Sequence, residues 1–367
     1  MKILEIIPQL SSGGGERFTV DLCNELSKKH EVILCVLHSL EKTGFYLHEV
    51  SSQIKIISLN KRAGIDLKLP FKIFRLVQKV KPDVIHTHLR GIVYSGLAIL
   101  WYRDTACFHT VHNSAKQEAG GFISCGVRKY FFLTGLVHAI TISEESNNSF
   151  VDFYHRRAVM IPNGRNIPKN IIVSEKVKSE FAKYRAIPET CVLVNLARID
   201  EVKRQTMLTR IVKRLNEEGY KLSMLMIGNN KNSKLVAEID SYHCEYVFVL
   251  GEKSNPLEYL KMADGYCLMS SYEGMPISLI EALGTGNIPI CTPVGGIVNV
   301  IKDGVNGILA KDISENECYS AIKRFLGLKE YEIRKMKENA LLSYTSYSMT
   351  ECAKKYECLF YSYVKSH

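Results

Sequence analysis

Ser270-Ser271-Tyr272-Glu273-Gly274-Met275-Pro276-Ile277-Ser278-Leu279-Ile280-Glu281-Ala282-Leu283 places two carboxylates eight residues apart, across a Gly-Met-Pro corner that runs into an apolar stretch. Gly265–Met269 just before it reads as a buried strand, so the segment is a strand, a loop and a helix in series. Pro276 suits the first turn of that helix, where a missing N–H costs nothing. Glu273 then lies in the loop and Glu281 just over one turn inside the helix. Between them are free N–H groups at the positive end of a helix dipole, a seat for phosphate. Two acceptors suited to sugar hydroxyls flank the seat, which is the chemistry a nucleotide sugar requires. The plainer reading makes Glu273 a loop residue and Glu281 a solvated helix position.

The same alternation extends outward over the chain. Ile3–Ile7, Val32–Leu37, Ile54–Leu59, Val84–His88, Ala106–Val111 and Ala139–Ile142 read as strands, separated by helical patterns such as Phe18–Lys28 and Leu69–Val80. Pro162-Asn163-Gly164 and the polar Arg165–Lys169 suit a linker. The alternation restarts with Cys191–Ala197, Leu222–Ile227, Tyr246–Leu250, Gly265–Met269 and Ile288–Thr292. Two βα series predict an α/β chain of two doubly wound parallel-sheet domains. In such sheets ligands bind beyond the carboxyl ends of the strands, so a cleft shared by the two domains is the expected active site.

Composition narrows the class. The chain has 367 residues, 46% hydrophobic and 23% charged, ordinary values for a globular protein with room for two cores. Apolar runs such as Ile92–Leu100 fall short of the roughly 20 residues of a membrane span. Met1–Pro8 looks like a leader, but Glu5 interrupts a short apolar part and no small-residue cleavage site follows. It reads better as the first buried strand of a cytoplasmic protein. Eleven cysteines, none in a Cys-x-x-Cys pair, indicate neither a disulfide framework nor a zinc knuckle. The net charge is +10, and residues 1–168 carry 21 basic against 14 acidic residues, leaving +7 in that half. That balance suits an anionic partner: a membrane surface, a phosphorylated acceptor or nucleic acid. No zinc-finger spacing or aromatic-basic RNA signature accompanies it, so nucleic acid is not the expected partner.

Further motifs carry chemistry. Gly13-Gly14-Gly15-Glu16-Arg17 follows the first strand and opens a helix, either as a close-approach loop at a helix N-terminus or as a plain turn. It matches neither the dinucleotide fingerprint nor the P-loop. Arg198 stands just beyond a strand end with Lys203 five residues on, and the pair could clamp a departing diphosphate or be surface charge. His112 ends the Ala106–Val111 strand; His86 and His88 project from one strand face with His109 nearby, and no acidic ligand cluster is evident to make them a metal site. No Asp-x-Asp occurs, so no metal-held donor is expected and no cofactor is called for. Lys68, Lys72, Arg75 and Lys79 share one face of the Leu69–Val80 helix, opposite Ile73, Leu76, Val77 and Val80. That face is either solvated or in contact with an anionic membrane.

Taken together, Glu273 and Glu281, Ala263-Asp264, Ser270, Gly284, Pro289, Val294-Gly295-Gly296 and Asp303–Gly307 resemble the Glu-x7-Glu region of retaining glycosyltransferases of the GT-B fold, family 4. The glycine turn, Arg198 with Lys203, and His112 are similar to family features in the same order. The resemblance implies two Rossmann-like domains, 1–168 completed by a returning helix 348–367, and 169–347. It implies sugar transfer from a nucleoside diphosphate donor, UDP by default, to a glycan or lipid-linked acceptor. Glu281 would hold the ribose, Glu273 the transferred sugar, and Arg198 and Lys203 the diphosphate. Amides at Gly13, Gly14 and Gly15 and at Gly274, Met275 and Ile277, around the corner made by Pro276, would complete the seat, His112 would face the sugar, and the base would lie by Gly251 and Glu252. An epimerase or phosphorylase on this fold, or a non-catalytic sugar-nucleotide binder, are the alternatives. Asn299 and Asn163-Gly164-Arg165-Asn166 depart from the family pattern.

Overall fold

A computed structural model describes residues 1–62, 64, 66–185 and 187–364. The chain divides into two units, Met1–Asn166 with Tyr347–His367, and Ile167–Ser346. In the first unit seven strands are β1 (Lys2–Ile7), β2 (Glu31–His38), β3 (Lys55–Lys61), β4 (Val84–His88), β5 (Ala106–Val111), β6 (His138–Thr141) and β7 (Val159–Met160). They form one sheet in the order β3-β2-β1-β4-β5-β6-β7, with every pairing parallel. The second unit has β8 (Cys191–Leu196), β9 (Leu222–Ile227), β10 (Val247–Gly251), β11 (Gly265–Leu268), β12 (Ile288–Cys291) and β13 (Ile308–Leu309). Its order, β10-β9-β8-β11-β12-β13, is again wholly parallel.

Helices cover both faces of each sheet, so strands such as Val32–Leu37 and Leu222–Ile227 are buried along their length, as continuous apolar runs require. In the first core Leu4, Ile6, Ile33, Cys35 and Ile85 pack with Ile73, Ile99 and Phe131. In the second, Leu193, Met224, Met226, Cys267 and Ile290 pack with Leu208, Ile211 and Phe325. All eleven cysteines are free thiols and seven of them are buried, where they act as small hydrophobes. The strand order reverses between β1 and β4 and again between β8 and β11. Such a switch point opens a crevice at the carboxyl ends of the strands. The glycine turn follows β1, Arg198 and Lys203 follow β8, and Glu273 follows β11.

The final helix, Met349–Val364, packs on the first unit against the Gly14–Leu26 helix and β5, with Tyr356 and Phe360 buried. The polar stretch at 165–169 is not a free linker at its start. Arg165 is buried and ion-paired with buried Asp21 at 2.8 Å, and its backbone bonds Tyr347 and Met349. Burial raises the Asp21 carboxyl above its ordinary value even with Arg165 against it. Pro276 is likewise displaced by one position from the expected first turn. It caps the Ile277–Gly284 helix in extended conformation, because its ψ of 124° lies outside the helical range.

Candidate functional site

In the second unit the chemistry gathers at the β8/β11 switch point. Asp200 caps the short Glu201–Lys203 turn by accepting the Val202 N–H. Gln205 donates to the Arg198 carbonyl at 2.8 Å and to Asn195, which donates to the Cys267 carbonyl, so the loop is tied to β8 and β11. This turn brings Lys203 Nζ to 2.5 Å from Glu273 Oε1. Ser270 Oγ donates to the same oxygen at 2.5 Å. Glu273 is buried and Lys203 largely so. Glu273 is therefore held by a cation and a hydroxyl on one oxygen.

Arg198 does not join this group. Its side chain is 67% exposed and lies against Asp200 at 3.1 Å, so its planar fork is available to a ligand anion at the cost of one exposed ion pair. Glu281 is buried, and its carbonyl accepts from Thr285. Met275 is buried, and the Gly274 carbonyl accepts from Gly296 N–H at 2.6 Å, which clamps the corner ahead of Ile277. Gly251 ends β10 at φ +67°, a left-handed conformation suited to glycine. Exposed Glu252 accepts from Asn229 at 2.8 Å.

In the first unit Gly13 caps the Gly14–Leu26 helix in extended conformation. A Cβ on Gly13 would stand 2.2 Å from Glu16 Oε2, so a larger residue there would displace the end of the Glu16 side chain. Glu16 is buried and accepts from Ser11 Oγ at 2.8 Å. The turn expected to seat phosphate thus carries a buried carboxylate of its own beside the helix N-terminus. Beside Gly15 lies the His112 ring, with Cγ, Cδ2 and Nδ1 at 3.5–3.6 Å from where a Cβ would be.

Behind His112 runs a buried polar chain. Glu5 of β1 is in register with His86 of β4, and both are fully buried. His86 Nδ1 and His88 Nε2 lie 2.9 and 2.8 Å from Glu5 Oε2. His88 Nδ1 lies 3.0 Å from His112 Nε2, and His86 Nε2 lies 2.8 Å from Thr110 Oγ1, itself 3.0 Å from Tyr356 OH. Burial pushes the Glu5 carboxyl up, but the two histidines outweigh it and hold it at about 2. Burial, then neighbouring His86, lowers His88 to about 4; burial, then His88, lowers His112 to about 3. Glu118 accepts the His112 backbone N–H at 2.7 Å and bonds His109 and Arg128, with its carboxyl held at about 2.

The expectation that no acid accompanies the histidine pair is overturned by Glu5. Its carboxylate, His86 and His88 bring three potential ligand atoms within 4.8 Å of one another. Their 2.8–2.9 Å separations are hydrogen-bond distances, and the second nitrogen of each ring also has a partner, so hydrogen bonding accounts for every atom. Glu5, Glu118, Arg128, Ser270 and Gln205 were not singled out as site residues from the sequence. Glu5 carried a signal nonetheless: a carboxylate inside a buried parallel strand must have a partner.

Comparisons with known proteins follow this geometry. The model described as Glycosyltransferase Family 4 matches residues 12–195, half of the chain, and that described as Glycosyl transferases group 1 matches residues 177–342. A Campylobacter jejuni α-1,4-N-acetyl-D-galactosaminyltransferase, named for a diphospho-undecaprenol-linked glycan, is 25% identical over 350 residues, 91% of each chain. The capsular polysaccharide glycosyltransferase CapH of Staphylococcus aureus is 23% identical over 306 residues, 77% of this chain and 78% of its own. Among solved structures, Anabaena HepE in complex with UDP and glucose superposes with a TM-score of 0.81 at 18% identity, over 99% of this chain and 100% of its own. A glycosyltransferase of Rickettsia africae gives 0.80 at 19% identity, over 100% and 99%.

Proposed function

The chain belongs to glycosyltransferase family 4, and on that premise we propose that it moves a sugar from a nucleoside diphosphate, UDP by preference, onto a hydroxyl of a glycan or lipid-linked acceptor. The transfer retains anomeric configuration and serves capsule, lipopolysaccharide or exopolysaccharide synthesis, in keeping with the names of its bacterial relatives. The observation that carries this reading is the Lys203–Glu273–Ser270 group at the β8/β11 switch point, with buried Glu281 in the helix that follows.

Without ligand, Glu273 neutralises Lys203. A donor diphosphate competes for that ammonium together with Arg198, and the released Glu273 oxygen then accepts from a hydroxyl of the transferred sugar. Glu281 accepts from the ribose hydroxyls, and the segment at Gly251 and Glu252 meets the base. As the bond from anomeric carbon to phosphate oxygen breaks, the acceptor oxygen bonds the same face of that carbon. Its proton passes to the departing phosphate oxygen, so no dedicated base is needed. Negative charge grows on the diphosphate, where Lys203 and Arg198 stabilise it in place of a metal ion. The basic face of the Leu69–Val80 helix brings the enzyme to anionic lipid. Exposed Leu67 and Phe71 among Lys68, Lys72, Arg75 and Lys79 supply the apolar contact that a solely solvated face would lack. Among the described residues no helix is long and apolar enough to cross a membrane.

A calorimetric screen of nucleoside diphosphates, followed by turnover of the matching nucleotide sugars in a chelator, tests this. Glu281→Gln should lose about 1.5–3 kcal/mol of nucleotide affinity, the size of a charge-assisted hydrogen bond. Lys203→Ala should lower turnover by roughly 10²–10³-fold. Unchanged nucleotide affinity in folded Glu281→Gln, or activity that requires added magnesium or manganese, refutes the assignment.

A further inference from the structure

The polar chain behind His112 has a direction. Glu5 is fully buried and ionised, so it only accepts, and both His86 Nδ1 and His88 Nε2 must donate to it. A neutral His88 that gives its Nε2 proton to Glu5 has only a lone pair on Nδ1. His112, 3.0 Å away, must then donate from Nε2. With that proton placed, His112 Nδ1 carries a lone pair. Seven of the eight nitrogens on His86, His88, His109 and His112 have hydrogen-bond partners among the described residues. The eighth is His112 Nδ1, which is also not among the sealed unsatisfied atoms.

The geometry fixes where that lone pair stands. His112 is packed edge-on by Phe18 at 5.7 Å, held through its backbone by Glu118, and set against Gly15. Tyr356 of the final helix packs on His86 at 5.4 Å and closes the chain from the other side. A buried carboxylate with two histidines is costly as packing, and apolar residues of like volume commonly serve as well or better. Its presence under one outward lone pair calls for an account.

We propose that Glu5 and His88 are positioning residues that hold His112 in its Nε2–H tautomer, so that Nδ1 accepts a hydrogen bond from a substrate hydroxyl beside Gly15. The ligand class follows from the polarity. A lone pair recruits a hydroxyl and repels a phosphate oxygen, so this nitrogen takes a sugar hydroxyl. It is an acceptor and not a proton store, because a base needs a pKa near the working pH and His112 is held at about 3. An orienting carboxylate that sets an imidazole tautomer is an established physical device, and at metal-bound histidines removal of such outer partners commonly costs about 10–100-fold. The inference rests on the sugar-transfer reading for its use, but not for its geometry.

The test begins with the unaltered full chain, labelled with ¹⁵N-histidine, by long-range ¹H–¹⁵N correlation at neutral pH. The expected result is Nε2–H on both His88 and His112 and Nδ1–H on His86. An Nδ1–H tautomer or an imidazolium at His112 overturns the proposal, whatever the variants do. Glu5→Gln removes the carboxylate charge and puts an N–H donor in place of one acceptor oxygen, which weakens its hold on the two ring protons. It should shift the ring tautomers and lower kcat by at least ~10-fold with nucleoside diphosphate affinity unchanged. Thr110→Val cuts the other branch, at His86, and should leave the His112 tautomer and kcat close to the parent. Equal losses in the two variants mark a merely structural role and overturn it. If the sugar-transfer reading itself is wrong, the parent turns over no nucleotide sugar while the tautomer result stands.

Discussion

The two units share a parallel, doubly wound topology and place their candidate site residues at the same switch point, yet they treat charge differently. In the first, titratable groups lie inside the sheet face: Glu5 on β1, His86 and His88 on β4, and His109 on β5 are all fully buried. In the second, the corresponding strands β8 and β11 carry Asn195 and Cys267, neutral and inward. The charges sit beyond the strand ends, where buried Glu273 pairs with a mostly buried Lys203 and Arg198 is largely exposed. A buried network of fixed polarity orients a neutral group and excludes ions. Charges at the rim remain free to exchange partners with a polyanion. The same fold thus supports one half built for orientation and one built for exchange.

The contrast breaks most directly at Arg165. Removing one partner of a buried pair strands the other charge, so Arg165→Ala should destabilise the first unit by about 3–5 kcal/mol. Hydrogen exchange should report loss of protection in β1, β4 and the final helix, while β8 and β9 keep theirs. Equal loss in both units would show that the halves are not separable in stability.

Acid should come next. His88 and His109 at about 4 and His112 at about 3 lie below the ordinary histidine value, and Glu5 and Glu118 at about 2 lie below the carboxylate value. In each case the unfolded chain takes up protons that the folded chain refuses. The stabilisation is complete above about pH 6.5 and is lost as pH falls toward 4 and then 2. Each pKa unit corresponds to about 1.4 kcal/mol, so any one of these groups contributes on the order of a few kcal/mol. The lowered carboxyls of the second unit, Glu218, Glu258, Asp312 and Glu315, are on exposed or half-exposed side chains whose interactions are weak. Hydrogen exchange across an acid titration should therefore show the first unit opening first. The reverse order would place the decisive titrations elsewhere.

The smallest effect sharpens the contrast at the surface. Lys72→Glu with Arg75→Glu should weaken co-sedimentation with anionic vesicles by about 1 kcal/mol per cation, and salt should do the same. Binding that ignores lipid charge would leave a soluble glycan as the acceptor.

Much of this was legible in the sequence, and what was not has a common cause. Val84–His88, Ala106–Val111 and Leu222–Ile227 match their strands residue for residue, because buried parallel strands are short apolar runs with sharp borders. Val159–Met160 and Ile308–Leu309 escaped, since two residues carry no pattern. Glu5 was visible as an interruption in an apolar run, but its partners stand 81 and 83 residues away. Lys203 and Glu273 were each singled out, yet their contact spans 70 residues and no local periodicity reports it. Arg165 read as the start of a linker because its partner Asp21 lies 144 residues back. Motifs disclose the residue types that chemistry needs. Pairings across the sheet are disclosed only by topology.

The returning helix has a consequence for biosynthesis. The second unit is one uninterrupted segment, Ile167–Ser346, inserted between the two pieces of the first. On a ribosome, units ordinarily complete in the order in which they emerge. Here the half that is made first must wait about 180 residues for Tyr356 and Phe360 to cover Phe18, Phe108 and Thr110. The half that is made second can close as soon as its own last strand and helices are out. Synthesis therefore leaves the histidine-bearing sheet face open to water, and to any chaperone that reads exposed aromatics, until the Met349–Val364 helix has emerged.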